Sequence, residues 1–163
     1  MATIYISIGS NINPSENIQH ALNDLHQTFG EITCSTHYES KSVGFDGENF
    51  INLVASAKTD MDVLVVADHL HKIEDQHGRD RSGPKFSSRT LDLDLLLYDA
   101  LVFEQGKLKI PRDEILFNAF VLCPLAELAP DLLHPIEQKR YAELWQAFDQ
   151  ASQPLWPIDA SAL

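Results

Sequence analysis

Hydrophobic and polar positions change their spacing several times along this chain, and each change marks an element. Residues 3–9 alternate and are rich in β-branched side chains, which predicts a strand that Gly9-Ser10-Asn11 ends with turn chemistry. Asn13-Pro14-Ser15-Glu16 then opens a helix. Asn13 is placed to cap it, Pro14 suits the first helical position, and Glu16 is spaced for a capping box. Ile18, Ala21, Leu22, Leu25 and Phe29 follow at helical spacing, and Gly30 closes the helix. Residues 31–43 and 49–58 read as two strands joined by a loop around Phe45-Asp46-Gly47. Asp60 is the expected cap of a second helix, with Val63, Val66, Ala67, Leu70 and Ile73 on its inward face and Gly78 at its end. A polar loop over 79–88, a strand over 90–98 and a short extended piece at 107–111 come next. An apolar helix over Phe117–Leu128 and a last helix over Tyr141–Phe148 complete the pattern.

The order β-α-β-β-α-β with helical additions at the C-terminus predicts an α+β, ferredoxin-like split βαβ fold. At 163 residues, a single domain spanning 1–163 is expected. Such a fold hosts many activities, so function has to come from particular side chains.

Charge narrows the classes. The net charge of −12 argues against a broad nucleic-acid surface, which needs basic residues. No apolar run approaches the roughly 20 residues of a membrane span, and the start MATIYISIGS does not read as a signal peptide. Cys34 and Cys123 match no zinc or redox spacing and are expected to be reduced thiols of a cytoplasmic protein. In so acidic a chain, the placement of Arg79, Arg81, Lys85 and Arg89 within eleven positions is informative, because it points to a bound anion.

The chemistry concentrates in Arg89-Thr90-Leu91-Asp92-Leu93-Asp94. On a strand, Asp92 and Asp94 share one face while Leu91, Leu93 and Leu95 face the core. Two neighbouring carboxylates repel each other, and a hard cation relieves the repulsion. Mg²⁺ typically binds through one or two carboxylates plus substrate phosphates. A wet polar strand face is the plain alternative for a D-x-D pair alone. The cationic loop just before it supplies the other half of a phosphoryl-transfer site, with arginines suited to bidentate phosphate contact. No G-x-x-x-x-G-K-[ST] loop occurs, so a nucleotide would be held by side chains and metal. The stripe His71-x-x-Glu74-x-x-His77 reads as a solvated or substrate-facing helix edge rather than a zinc site.

These residues together resemble the 6-hydroxymethyl-7,8-dihydropterin pyrophosphokinase family of folate biosynthesis. Besides the Arg89–Asp94 element, the resemblance rests on Gly9-Ser10-Asn11, Phe50-x-Asn52, Gly78-Arg79-x-Arg81, Ile110-Pro111, Ala119-Phe120-Val121-Leu122-x-Pro124-Leu125 and Glu127-x-Ala129-Pro130, all in order. It implies transfer of the terminal diphosphate of ATP to the hydroxymethyl group of the pterin, with release of AMP. Asp92 and Asp94 would hold two Mg²⁺ ions, and Arg79 and Arg89 would neutralise the transferring group with Arg81 assisting. The pterin would sit near Ser40, Val43, Phe50, Asn52 and Phe120. His71, Glu74, Arg81, Lys85, Leu95, Lys107, Lys109 and Arg112 would fall along the nucleotide. A monomer is implied, with ATP and a reduced pterin as its small-molecule partners.

The chain also departs from the family pattern. Phe86-Ser87-Ser88 stands where Trp-Gly-Pro is usual, Lys85 and Asn118 replace arginines, Arg112 replaces a histidine, and Lys41-Ser42 replace prolines. Lysine lacks the planar fork of arginine, and Arg112 does not titrate near neutrality. Two other readings therefore stand beside the active enzyme. One is a catalytically weakened relative that binds pterin or nucleotide. The other is a Mg²⁺-dependent transferase acting on a different alcohol.

Overall fold

The computed structural model describes residues 1–41, 48–77 and 91–159. Its main sheet contains β1 (Ala2–Ser10), β2 (Ile32–Cys34), β3 (His37–Ser40), β4 (Phe50–Thr59), β5 (Asp92–Tyr98) and β8 (Leu155–Ile158). The order is β5-β1-β4-β3-β8, with β2 also pairing β4, and the pairings are antiparallel. If β2 and β3 are taken as one interrupted strand, the first four positions are those of the expected split βαβ sheet. A hairpin of β6 (Phe103–Gln105) and β7 (Leu108–Ile110) turns at Gly106, whose φ of +61° suits a residue without a Cβ.

One face of the sheet is dry. Ile4, Ile6 and Ile8 of β1, Ile51, Leu53, Ala55 and Ala57 of β4, and Leu93 and Leu95 of β5 are buried there. They pack against α1 (Pro14–Phe29), through Ile18, Ala21 and Leu25, and α2 (Val63–Gln76), through Val63, Val66, Leu70 and Ile73. Ala67 is only half-buried. Two predicted caps differ. Asp62, not Asp60, caps α2 by accepting from Leu64 N at 3.0 Å. Asn13 takes a left-handed conformation (φ 43°) without a side-chain cap bond, so the expected capping box does not form. Asn17 Nδ2 instead donates to Ile12 O at 2.6 Å.

The opposite face is covered over part of its length by α4 (Ala119–Leu128) and α5 (Tyr141–Ala147). Val54, Leu96, Leu97, Val121, Leu122, Leu125 and Tyr141 form its apolar cluster. Two irregularities shape this face. In β5 the pairing moves from Ile6↔Leu95 to Tyr5↔Leu97, so Leu96 is an extra residue, and Leu96 and Leu97 both join the second cluster. Between β2 and β3 the pairing slips from Cys34↔Ala55 to Tyr38↔Asn52. There the Ser35 side chain accepts from Val54 N at 3.0 Å while Ser35 N donates to Val54 O. The predicted continuous strand over 31–43 is therefore interrupted.

The predicted helix over 117–128 begins at Ala119 instead, and Phe117 ends a separate short helix that precedes it. α3 (Glu114–Phe117) and α4 meet at Asn118, which is extended (φ −114°, ψ 115°). β8 escaped the sequence pattern because Pro157 lies inside it; an edge strand tolerates a residue with no N–H to donate.

Candidate active site

Strand register places five of the described candidates, Ser40, Phe50, Asn52, Asp92 and Asp94, on the partly open face. Asp92 lies opposite Gly9, which lies opposite Asn52, which lies opposite Tyr38. In the next row Asp94 lies opposite Ser7, and Ser7 opposite Val54. Ser40 pairs with Phe50 one row beyond Asn52, on the same face. Because side chains alternate, Ser40, Phe50, Asn52, Ser7, Asp92 and Asp94 therefore share one surface.

Gly9 makes this row possible. A Cβ at position 9 would stand 2.5 Å from Asn52 Oδ1, so only glycine leaves room for the Asn52 amide. Asn52 is almost fully buried, Ser40 is buried, and Phe50 and Phe120 are half-buried. A half-buried aromatic ring beside a constrained amide suits a flat heterocycle with donors and acceptors on its edge.

Asp92 and Asp94 are half-buried, with Leu91, Leu93 and Leu95 beneath them in the dry core. Glu74, buried on α2, fixes the strand between the two carboxylates: its Oε2 accepts from Leu93 N at 2.8 Å. Arg112 follows the cis Ile110–Pro111 bond and is held by Arg112 N donating to Leu96 O at 3.1 Å. Its Nη2 is 3.4 Å from Asp94 Oδ1, and its Nε is 3.1 Å from Glu114 Oε2 without the alignment of a hydrogen bond. A cation thus already sits beside one member of the pair. The oxygen-only, half-exposed pair fits Mg²⁺, which completes its shell with water and phosphate. Among the described residues no group of three or more His, Cys, Asp or Glu side chains is arranged to hold a metal.

The remaining candidates divide. His71 and Lys107 are exposed. Lys109 is half-buried and paired with Asp113 at 3.0 Å. The Leu95 side chain belongs to the core on the far face, which leaves only its backbone for any ligand. Val43, Arg79, Arg81, Lys85 and Arg89 lie outside the described residues.

The register also adds residues. Ser7 stands across from Asp94, and the alternation Ile4-x-Ile6-x-Ile8 was a signal that would have found it. Glu127 reaches from α4 to β3: Tyr38 Oη donates to its Oε1 at 2.6 Å, and Thr36 N and Oγ1 donate to its Oε2 at 2.9 and 3.0 Å. Burial, then the Glu127 bond, pushes the Tyr38 phenol well above its usual range, so it stays a donor.

A family model described as 7,8-dihydro-6-hydroxymethylpterin-pyrophosphokinase matches residues 5–130, a stretch that runs from β1 to just past α4. The chain belongs to this family. Among its relatives, the 2-amino-4-hydroxy-6-hydroxymethyldihydropteridine pyrophosphokinase of Haemophilus influenzae is 38% identical over 142 residues, covering 85% of this chain and 88% of that protein. The protein of the same name from Pseudomonas aeruginosa is 39% identical over 137 residues, covering 81% and 83%. The pyrophosphokinase fold is also seen in a crystal structure of Plasmodium falciparum HPPK-DHPS, with a TM-score of 0.71 over 90% of this chain at 14% identity. This chain spans 43% of that longer one, and the likeness speaks for the fold alone.

Proposed function

We propose that this protein, as one pyrophosphokinase domain, transfers diphosphate from ATP to the hydroxymethyl group of 6-hydroxymethyl-7,8-dihydropterin and releases AMP. Family membership supports the activity. The single observation that best supports the site is the row Asn52–Gly9–Asp92, which sets a buried amide on β4 and a half-buried carboxylate on β5 on one face, either side of β1.

In the reaction the hydroxymethyl oxygen bonds to the β-phosphorus of ATP, the bond from that phosphorus to the α,β-bridging oxygen breaks, and the hydroxyl proton is released. Asp92 and Asp94 would hold Mg²⁺, two ions by the family resemblance, which would neutralise phosphate charge. The chain's own task is placement and electrostatic support. Glu74 steadies the backbone between the carboxylates. Asn52 and Ser40 orient the pterin, with Phe50 and Phe120 against its ring. Arg79, Arg81, Lys85 and Arg89 belong to this reading as the cationic clamp, and His71, Lys107, Lys109 and Arg112 as nucleotide contacts. We place the enzyme in the cytoplasm as a monomer; no helix among the described residues is long and apolar enough to cross a membrane.

Purified protein mixed with ATP, Mg²⁺ and the reduced hydroxymethylpterin should form AMP and the pterin diphosphate in equal amounts. ADP as product, or no turnover, would overturn the reading. The Arg112–Asp94 ion pair favours a second one, a weakened enzyme in which a fixed cation competes with the metal. That reading expects pterin or nucleotide binding by calorimetry without AMP release.

A further inference from the structure

We propose that the C-terminal segment 150–158 is a strap that sets the pterin side of the site, with Gln153 and Trp156 as its positioning residues. This rests on the pterin reading above and deepens it. The break between α3 and α4 leaves a carbonyl at the end of one helix and an N–H at the start of the next, groups that helices cannot satisfy internally. A single side chain takes both. Gln153 Oε1 accepts from Ala119 N at 2.9 Å, and Gln153 Nε2 donates to Phe117 O at 2.8 Å. Asn118, the local residue at that joint, makes no side-chain cap bond. The next residue along α4 is Phe120.

Three residues beyond Gln153, the same segment reaches β3. Trp156 Nε1 donates to Glu39 Oε2 at 2.8 Å, and β8 pairs with β3 so that Leu155 lies opposite Ser40 and Trp156 opposite Glu39. Two pterin candidates on separate elements, Phe120 and Ser40, are therefore each tied within one residue to one short extended stretch. Such a stretch is roughly 10 Å long at ~3.3 Å per residue. Trp156 is exposed and Gln153 half-buried, so neither residue fills a core. Their bonds run to Phe117, Ala119 and Glu39, none of them a metal or nucleotide candidate; the described candidates of that kind lie on α2, on β5, on the β6–β7 hairpin and at Arg112, just before α3.

This division makes the test specific. Initial rates with both substrates varied, together with melting temperatures, should be measured for the native protein and for Gln153→Ala, Gln153→Glu and Trp156→Phe. Gln153→Ala should raise the pterin KM about tenfold, the size of one or two lost hydrogen bonds, with the ATP KM unchanged. Gln153→Glu keeps the acceptor for Ala119 N and should recover part of the loss. Trp156→Phe removes only the indole donor and should raise the pterin KM by less, so it carries the test if Gln153→Ala does not fold. An equal rise in both KM values, or a lower melting temperature with the pterin KM intact, overturns the strap and leaves the segment a structural brace. A native protein that forms no AMP overturns the pterin reading and the strap together. A native protein that turns over while every variant keeps its pterin KM overturns the strap alone.

Discussion

The two faces of the central sheet are built from the same three strands and serve opposite ends. On the face under α1 and α2, successive rows are isoleucine, leucine and alanine, closed to water. On the other, the rows turn from apolar (Val54, Leu96, Leu97) to polar (Asn52, Ser7, Asp92, Asp94) within a few residues. The contrast teaches where this protein places its polar cost. A closed apolar face supplies cohesion, and that lets the opposite face keep two neighbouring carboxylates and a crowded amide.

Substitutions on the two faces should therefore separate activity from stability. The largest effect is expected at the carboxylates. Asp92→Asn or Asp94→Asn should lower kcat roughly 10²–10³-fold, the scale of removing one preorganised electrostatic contact, while the melting temperature holds. Near-normal turnover at limiting Mg²⁺ in either variant would break the metal assignment. On the closed face, Leu53→Ala should cost about 2–5 kcal/mol in denaturant unfolding, with the pterin KM of the folded fraction unchanged. A KM shift there would show that the faces are coupled.

At the boundary, Gly9→Ala pushes against Asn52 and should raise the pterin KM roughly 10- to 100-fold, the scale of a misplaced contact, with a modest stability loss. The smallest effect concerns pH. His134 is buried, and its Nδ1 accepts from Ile136 N and Glu137 N at 3.2 and 3.1 Å. Burial lowers its pKa from the ordinary 6.5, against a smaller opposing pull from Glu137. The unfolded chain therefore takes up the proton first. This contribution to stability is complete above pH 6.5 and is lost as pH falls below it. His37 is shifted the same way by burial. Unfolding curves on either side of that pH should show the loss, and His134→Gln should flatten part of it.

Much of this was legible in the sequence because it is periodic. Ile4-x-Ile6-x-Ile8, the helical spacing of Val63, Val66, Leu70 and Ile73, and the alternation around Asp92 and Asp94 each carry one face in their own pattern. The split βαβ order followed from those elements. The family resemblance added the residues proposed for pterin and nucleotide, and the register of β1, β4 and β5 assembled several of them on one surface. What escaped is what depends on distant partners. The break at Asn118 is satisfied by Gln153, more than thirty residues later, and no local pattern announces it. The interruption between β2 and β3 needs Val54 across the sheet. The Asp60-for-Asp62 error is a matter of which of two nearby acids finds the N–H of Leu64, a choice that the path of the chain decides.

The extra residue in β5 has a consequence for how the length of this strand can change. Removing Leu96 would merge the two offset pairings into one continuous ladder, with Leu97 in its place and Asp92 and Asp94 still facing outward. Removing Leu93 instead would turn one of the two carboxylates into the closed core. The strand has one position of slack, and it lies on the side of the acidic pair where a deletion leaves the chemistry in place.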